Sequence, residues 1–420
     1  LNLYHSNKLS IKRISSSKMF KIKRKILTIK WLICICLLVN KVDSTISPGD
    51  KSQKQPKPLK LKTGPRDESV FDLDLIDIEP SAKEILINNG AYYKDTSARR
   101  FNGTVLGFVT PWNSHGYEIA TTFAKKFDII SPVWFQIVKQ DGKYKVNGVH
   151  DIDARWMKDV RTKGRTEQRT MQFFPRFLFE NFNDNDFTLL LSSDEETKKV
   201  SDLLRKTCIQ HKFEGIVLEY WLQLGGRVAN KFLQKLAISI SKNLAKDNLK
   251  LILVIPPYRP QLVNMFNDYH MDKLYKHVYA FSLMTYDYST IQRPGANSPL
   301  YWIKQSIKHI APDNTNDVVE KRKKILMGLN MYGNDYTPDG GGPIVAGQYL
   351  DLLRNVKKRL TYDENDVENF FETRTSTGRH YVFYPTLYSL NERIKLAQEM
   401  GVGISIWELG QGLDYFYDLF

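Results

Sequence analysis

The segment F-E-G-I-V-L-E-Y-W places two carboxylates and three aromatic rings around a short apolar run. Gly215 precedes the β-prone residues 216–218, and Glu219 and Trp221 follow them. Helical spacing of apolar residues on both sides predicts a buried strand of a parallel α/β sheet. Because alternate strand residues share a face, Glu219 and Trp221 are expected to point the same way as Val217. Such sheets carry their sites at the carboxyl ends of strands, so this position favours acid–base chemistry or polar binding.

Eight β-rich runs alternate with helical patterns along the chain, which predicts a (β/α)8 TIM barrel of the α/β class. The predicted strands are residues 104–112, 128–138, 170–180, 213–221, 249–257, 278–286, 324–330 and 402–408. Helical patterns at residues 345–356 and 390–400 flank β-like stretches within residues 359–386. This order predicts a small β-rich subdomain inserted between strands seven and eight.

The segment around Glu219 resembles the signature D-G-x-D-x-D-x-E of family-18 glycoside hydrolases, the chitinases and their relatives. Glu214, Gly215, Val217, Glu219 and Trp221 occupy the signature positions at the same spacing, but every acidic position has changed. The resemblance puts Trp221 where the family has its catalytic glutamate. The altered pattern is similar to that of the stabilin-interacting chitinase-like group within the family.

Three further motifs extend this resemblance over residues 100–420. M-T-Y-D, with Tyr286 and Asp287, is similar to the family motif M-x-Y-D, and P-G-A-N-S-P-L resembles the loop that follows it. Trp407 matches the tryptophan beneath the central sugar. The resemblance implies that Tyr286 and Asp287 hold the N-acetyl group and the ring of a bound sugar. It also implies an insertion between strands seven and eight.

The family reaction is substrate-assisted, and it needs one carboxylic acid that protonates the leaving oxygen. The indole of Trp221 is not an acid at neutral pH. Glu219 lies two residues earlier, roughly 6–7 Å deeper along the strand, which is too far for that proton transfer. The resemblance therefore implies a catalytically inactive, lectin-like barrel. The alternatives are an active hydrolase with a relocated acid, Glu219 or Asp287, and a protein-interaction barrel without a sugar site.

Each candidate ligand residue also has a structural alternative. Glu219 is a carboxylate paired with neighbours such as Arg176 or Tyr286, a sugar ligand or a relocated acid. Trp221 either packs in the core or stacks on a sugar. Asp287 either binds sugar or braces its neighbours. The aromatic residues expected at the barrel mouth are Trp112, Trp134, Phe135, Tyr258, Tyr288 and Trp407.

The positive charge of the chain is concentrated at its start. Residues 1–66 hold sixteen Lys and Arg against two acidic residues, and the remainder holds 45 basic and 44 acidic residues. The formal net charge of +15 therefore belongs almost entirely to this first segment. A nearly neutral globular part gives no support for a nucleic-acid-binding face.

Residues 19–44 are predicted to be a signal peptide, because a basic start and a short apolar core end at small residues. A signal anchor is the alternative, but the apolar run is shorter than the roughly 20 residues that a span needs. Residues 1–18, before Met19, are interpreted as upstream translated sequence. No membrane span is expected after cleavage.

The remaining segments divide by composition. Residues 45–66 are rich in Lys and Pro, which predicts a flexible basic linker, with contact to anionic glycans or lipids as the alternative. Residues 67–99 are expected to be an N-terminal extension that packs on the barrel of residues 100–420.

A cleaved signal predicts a secreted or lysosomal glycoprotein with Asn102 of N-G-T as its glycosylation site. Cys208 is the single cysteine outside the signal core, and its helical context predicts a buried thiol. The histidines do not cluster at ligand spacings, so neither a metal nor another cofactor is expected. The resemblance implies chitin-type oligosaccharides, lipopolysaccharide and a stabilin-like sorting receptor as partners.

Overall fold

The computed structural model describes residues 59–262 and 265–420. The predicted signal peptide and residues 45–58 of the predicted linker lie outside the described residues. Among the helices of the described part, none combines the length and the apolar character that a membrane crossing requires.

The secondary structure of the described part begins at Thr63 and continues to the end of the chain. The strands are β1 Thr63–Arg66, β2 Gly90–Tyr93, β3 Val105–Val109, β4 Ile129–Pro132, β5 Phe135–Gln140, β6 Lys143–Asn147, β7 Gln172–Phe173, β8 Arg176–Phe179, β9 Gly215–Glu219, β10 Lys250–Ile255, β11 Ala280–Leu283, β12 Ile325–Asn330, β13 Gly333–Thr337, β14 Gly340–Ile344, β15 Thr361–Asp363, β16 Glu368–Thr375, β17 Gly378–Phe383 and β18 Gly403–Trp407. The helices are α1 Ala82–Asn88, α2 Ser114–Thr122, α3 Ala154–Gly164, α4 Asp184–Ser192, α5 Asp194–His211, α6 Trp221–Leu224, α7 Asn230–Leu244, α8 Asp268–Leu274, α9 Leu300–Ile310, α10 Val318–Lys323, α11 Ala346–Leu353 and α12 Leu387–Met400.

The main sheet is a curved α/β sheet of eleven strands in the order β6-β5-β8-β9-β10-β11-β12-β18-β3-β4-β7. Its neighbours are parallel except for the antiparallel hairpin of β5 and β6. Two predicted strands are each interrupted by two residues. Residues 128–138 form β4 and β5, and residues 170–180 form β7 and β8, where Pro175 has no N–H to donate to a neighbouring strand.

The two faces of the main sheet bury different apolar clusters. One face packs against helices such as α5 and α7, and Ile216 and Leu218 of β9 belong to that cluster. Val217, between them in β9, belongs to the cluster on the opposite face, as the two-residue period of a strand requires. The carboxyl ends of the strands lie above this second cluster, where Trp407 and Met284 pack on it.

A second sheet of five antiparallel strands lies between β12 and β18 in the chain, in the order β14-β13-β17-β16-β15. Its first two strands precede residues 359–386, where the β-like stretches are predicted. The glycine triplet of residues 340–342 opens β14. Gly341 has φ +117, and a Cβ there would lie 2.1 Å from the carbonyl oxygen of Asp335 on β13, so glycine is required at this close approach.

Residues 63–66, the end of the predicted flexible linker, instead form β1, which pairs in parallel with β2 of the N-terminal extension. The extension also contacts distant parts of the chain. The amide N–H groups of Val70 and Tyr93 donate to the two oxygens of the buried Asp418, at 3.2 and 2.9 Å. Asn369 of β16 donates to the carbonyl oxygen of Ile78 at 2.8 Å. These bonds hold the extension against both the final segment and the second sheet.

Candidate functional site

Trp407 lies at the carboxyl end of β18, above the apolar layer of the main sheet. Its ring is partly exposed and lies 5.2 Å from the ring of Phe108, at a tilt of 56°. Met284, which follows β11, packs on the same layer. A partly exposed indole that is fixed from below has the geometry that stacking on a sugar ring requires.

Glu219 and Arg176 form an ion pair at the carboxyl end of β9. The guanidinium Nε and Nη2 lie 2.8 and 2.7 Å from the same carboxylate oxygen, Oε2. The side chains are 22% and 14% exposed, so the pair is mostly screened from solvent. The structure therefore supports the alternative in which Glu219 pairs with Arg176. Because Nε and Nη2 both contact Oε2, this oxygen of Glu219 is committed to the ion pair.

Tyr286 lies beside this ion pair and is buried. Burial raises the pKa of Tyr286 well above its usual range, and the negative charges of Asp287 and Glu219 raise it further. The hydroxyl is therefore protonated at physiological pH and available as a hydrogen-bond donor. The sequence-predicted residues Glu219 and Asp287 thus each lie within electrostatic reach of Tyr286.

Asp287 follows β11 in a left-handed backbone conformation with φ +61. Its N–H donates to Asn297 Oδ1 at 2.6 Å, and its Oδ1 accepts the hydroxyl of Tyr332. Arg259 donates to its carbonyl oxygen at 2.5 Å, and this guanidinium also lies 4.9 Å from the centre of the Trp302 ring. The backbone and one carboxylate oxygen are therefore braced, while the residue as a whole is exposed.

A buried ion pair anchors the loop that holds Asp287. Glu368, the first residue of β16, accepts the N–H groups of Asn297 and Ser298 at 3.0 and 2.7 Å. Arg393 of α12 donates to the same carboxylate at 3.0 Å. This bracing shell was missed from the sequence, although Asn297 belongs to the P-G-A-N-S-P-L segment that carries the resemblance.

Trp221 does not lie with these residues. Strand β9 ends at Glu219, and Tyr220 has φ −143 and ψ −20, which turns the chain into α6. The expectation that Trp221 shares a face with Val217 is therefore wrong. The Trp221 ring is 0% exposed, packs 5.0 Å from the ring of Phe266, and donates from Nε1 to the Met265 carbonyl at 2.7 Å. An enclosed ring offers no surface to a sugar, so the structure favours the packing alternative.

The other aromatic residues expected at the mouth lie in different surroundings. Trp134 and Phe135 are completely buried on the helix-covered side of the sheet, so the expectation that they line the mouth is wrong. Their strand is interrupted at this position, which turns both side chains outward. The Tyr258 ring packs 4.9 Å from His309, and Trp112 is 68% exposed just beyond β3.

Other reactive groups do not add to this site. Burial of Cys208 on α5 raises the pKa of its thiol, so a reactive thiolate is disfavoured there. The described residues contain no group of three or more His, Cys, Asp and Glu side chains that could hold a metal ion. The arrangement at the carboxyl ends is thus an indole, a tyrosine hydroxyl and braced carboxylates.

Comparisons with known proteins identify two relatives, which are named as a glycosylase and a lytic enzyme. The chain is 23% identical over 279 residues to the uncharacterized glycosylase YvbX of Bacillus subtilis, covering 62% of this chain and 77% of that protein. It is 30% identical over 142 residues to the cortical fragment-lytic enzyme of the same organism, covering 30% of each chain.

Solved structures show the same fold at lower identity. A chitinase from Chromobacterium violaceum matches with a TM-score of 0.62 and 20% identity, over 76% of this chain and 97% of that chain. The spore cortex-lytic enzyme SleL of Bacillus megaterium matches with a TM-score of 0.59 and 19% identity, over 75% and 72% of the two chains. The sequence profile of the glycosyl hydrolases family 18 matches residues 104–412. The chain therefore belongs to glycosyl hydrolase family 18.

Proposed function

We propose that this chain is a lectin-like member of family 18 that binds chitin-type oligosaccharides and does not cleave them. The observation that carries the proposal is the surroundings of Trp221. The resemblance aligns this residue with the catalytic glutamate of the family, and its indole is enclosed and bonded to a backbone carbonyl. An indole in that position supplies no proton to a leaving oxygen.

The neighbouring carboxylates support the absence of the family reaction. Glu219 is committed to Arg176, and one oxygen of Asp287 is committed to the hydroxyl of Tyr332. A relocated general acid would have to be protonated and within hydrogen-bond reach of the glycosidic oxygen. Two nitrogens of Arg176 occupy Oε2 of Glu219, so this oxygen is not free for that contact.

The proposed sugar site consists of Trp407 as the stacking surface, Tyr286 as a donor and Asp287 as an acceptor. Trp112, exposed beyond β3, would extend the site at the rim. The related proteins are named as a glycosylase, a chitinase and cortex-lytic enzymes, so an N-acetylated amino-sugar polymer is the ligand class that we propose. Fold-level likeness by itself assigns no ligand.

We also infer that the main sheet closes into the (β/α)8 barrel and that β13–β17 are its insertion. In support, β4 pairs with β7, and β5 pairs with β8. Two residues separate β4 from β5, and two residues separate β7 from β8. Across these gaps, Phe174 donates to Ile130 and Val217 donates to Pro175, both at 3.0 Å. Continuous pairing of this kind is what a closed barrel requires.

We propose secretion, glycosylation and the wider set of partners from the sequence. The exposed Asn102 precedes β3 in the context N-G-T, which suits glycosylation of a protein that enters the secretory pathway. Lipopolysaccharide and a stabilin-like sorting receptor follow from resemblance to the stabilin-interacting chitinase-like group.

Reducing-end release from a panel of N-acetylglucosamine oligomers tests the absence of cleavage. The wild-type chain, Glu219→Gln and Asp287→Asn are compared with an active chitinase as the positive control. We expect no release by any of the three proteins. Release by the wild type that either substitution abolishes would replace the proposal with the alternative of an active hydrolase with a relocated acid.

A further inference from the structure

A cleft of about 730 Å³ lies at the opposite end of the main sheet from the candidate sugar site. Residues of α3 line one side, and the segment that joins α5 to β9 lines the other. Both segments lead into the amino ends of strands, since α3 precedes β7 and Lys212 precedes β9. The sugar site lies at the carboxyl ends, so a ligand in this cleft would not compete with a sugar.

The rim of the cleft carries positive charge that is not neutralised within the described residues. Lys158, Arg165 and Lys212 are exposed, and the described part of the chain gives none of them an ion-pair partner. The carboxylate in the lining, Glu214, is already engaged. It accepts two contacts from Arg161, at 2.8 and 3.0 Å, and the N–H of Phe173 at 2.7 Å.

This positive charge is local and is not the background of the whole surface. Beyond residue 66 the chain holds 45 basic and 44 acidic residues. A neighbouring cleft of about 700 Å³ shares Thr162 and Arg165 with the first and adds Lys125 to the basic lining. Charge of one sign gathered along a concave surface attracts a ligand of the opposite sign and raises its association rate.

The base of the first cleft is apolar. Ile152, Met157 and Met171 line it, and the half-buried Ile152 offers more surface than the two methionines, which are each 3% exposed. Methionine side chains adapt to irregular partners because they are unbranched and polarisable. A cleft of this size falls in the range of about 300–1,000 Å³ that accommodates compact ligands, such as a few amino acids.

We propose that this cleft binds an acidic peptide segment of a partner protein. Its carboxylates would pair with Lys158, Arg165 and Lys212, and one apolar side chain would rest against Ile152 above the two methionines. A sulfated glycan would satisfy the cations but would leave the apolar base unused. Both features of the cleft therefore favour a peptide with mixed acidic and aliphatic character.

Fluorescence anisotropy with the full chain tests this proposal. The probe is a fluorescein-labelled peptide of sequence Glu-Asp-Leu-Asp-Glu, compared with Gln-Asn-Leu-Asn-Gln and with Glu-Asp-Gly-Asp-Glu. We expect saturable binding of the first peptide and at least about tenfold weaker binding of the other two, since each lacks one half of the complementarity. Raising the salt concentration should weaken the binding further.

Two matched double variants locate the binding. Lys158→Glu with Arg165→Glu should weaken it about tenfold or more, and Lys158→Gln with Arg165→Gln should give a smaller loss. Lys242→Glu with Lys246→Glu changes the net charge by the same amount on exposed residues at the end of α7, outside the cleft lining, and should leave binding within about twofold. Unchanged thermal unfolding midpoints would show that all variants are folded.

Three results would each overturn the proposal. They are full binding by the variant with charge reversed at Lys158 and Arg165, equal binding of the neutral peptide, and binding of a sulfated oligosaccharide without binding of the acidic peptide.

Discussion

At the scale of single residues, the ion pair of Glu219 and Arg176 decides what the carboxylate can do. Arg176→Met leaves a mostly screened carboxylate without its counter-charge, so the free energy of unfolding should fall by about 2 kcal/mol, less than for a fully buried pair. Replacing both residues, as Met and Leu, should recover much of that loss. Urea unfolding of the wild type, the two single variants and the double variant measures the coupling energy between Arg176 and Glu219. Losses that simply add in the double variant would contradict this coupling.

Glu408, the residue after Trp407, is completely buried, and we expect its carboxyl group to make stability depend on pH. Its Oε2 accepts the side-chain amide of Asn113 at 2.7 Å, and burial raises the pKa of Glu408 from about 4.5 to about 7. Between these values the folded state holds a proton that the unfolded state has lost. The contribution of Glu408 to stability should therefore be fully present below pH 4.5 and should fall by about 2–3 kcal/mol as pH rises to 7.

Glu408→Gln is the matched test of this pH dependence, because the amide stays neutral throughout. Urea unfolding at pH 5 and pH 7.5 should show a smaller loss of stability in the variant than in the wild type. His115 adds a separate loss of stability as pH rises further, because Asp414 and Glu118 raise the pKa of His115 to about 9 in the folded state. Equal losses in both proteins would show that Glu408 does not titrate in this window.

At the scale of elements, the start of β16 fixes the loop after β11. Glu368→Ala would leave Arg393 buried without its partner and two backbone N–H groups without an acceptor. We expect a loss of about 3–5 kcal/mol in the free energy of unfolding. Glu372, also on β16, pairs with Arg379 at 2.6 Å with both side chains about half exposed, and Glu372→Ala should cost less than about 1 kcal/mol. Similar losses in both variants would contradict the anchoring role.

Strand positions could be predicted from sequence where a strand is a continuous apolar run. The runs at residues 249–257 and 324–330 predict β10 and β12 to within two residues at either end. The run at residues 213–221 extends two residues too far, because the hydrophobic pattern does not encode the backbone turn at Tyr220. That turn moves Trp221 from the face that carries Glu219 into the helix-covered core.

At the scale of the whole molecule, Asp418 joins the two ends of the described chain. It is 1% exposed and accepts N–H groups of Val70 and Tyr93. Asp418→Ala should lower the free energy of unfolding by about 2–4 kcal/mol and should expose residues 59–99 to protease before the rest of the chain. Asp67→Ala removes an exposed pair in the same extension and is the control. Resistance of the Asp418 variant to protease would contradict the role of this contact.

Contacts over such distances could not be predicted from sequence. Val70 and Asp418 are 348 residues apart, and neither lies in a motif or a periodic pattern. The same limit applies to the bracing of Asp287, whose partners Asn297 and Tyr332 come from separate segments. The resemblance to family 18 identifies Tyr286, Asp287 and Trp407, but only the folded arrangement shows that Glu219 is committed to Arg176.

Calorimetric titration with N-acetylglucosamine oligomers tests most directly whether the carboxyl ends of the main sheet bind a sugar. Trp407→Ala removes the proposed stacking surface, and Phe71→Ala removes an aromatic ring of the extension that is 38% exposed and packs on Arg100. We predict binding by the wild type and Phe71→Ala, and a loss of at least about 1–2 kcal/mol of binding free energy in Trp407→Ala. Absence of binding to the wild type, or equal binding by Trp407→Ala, would contradict the account.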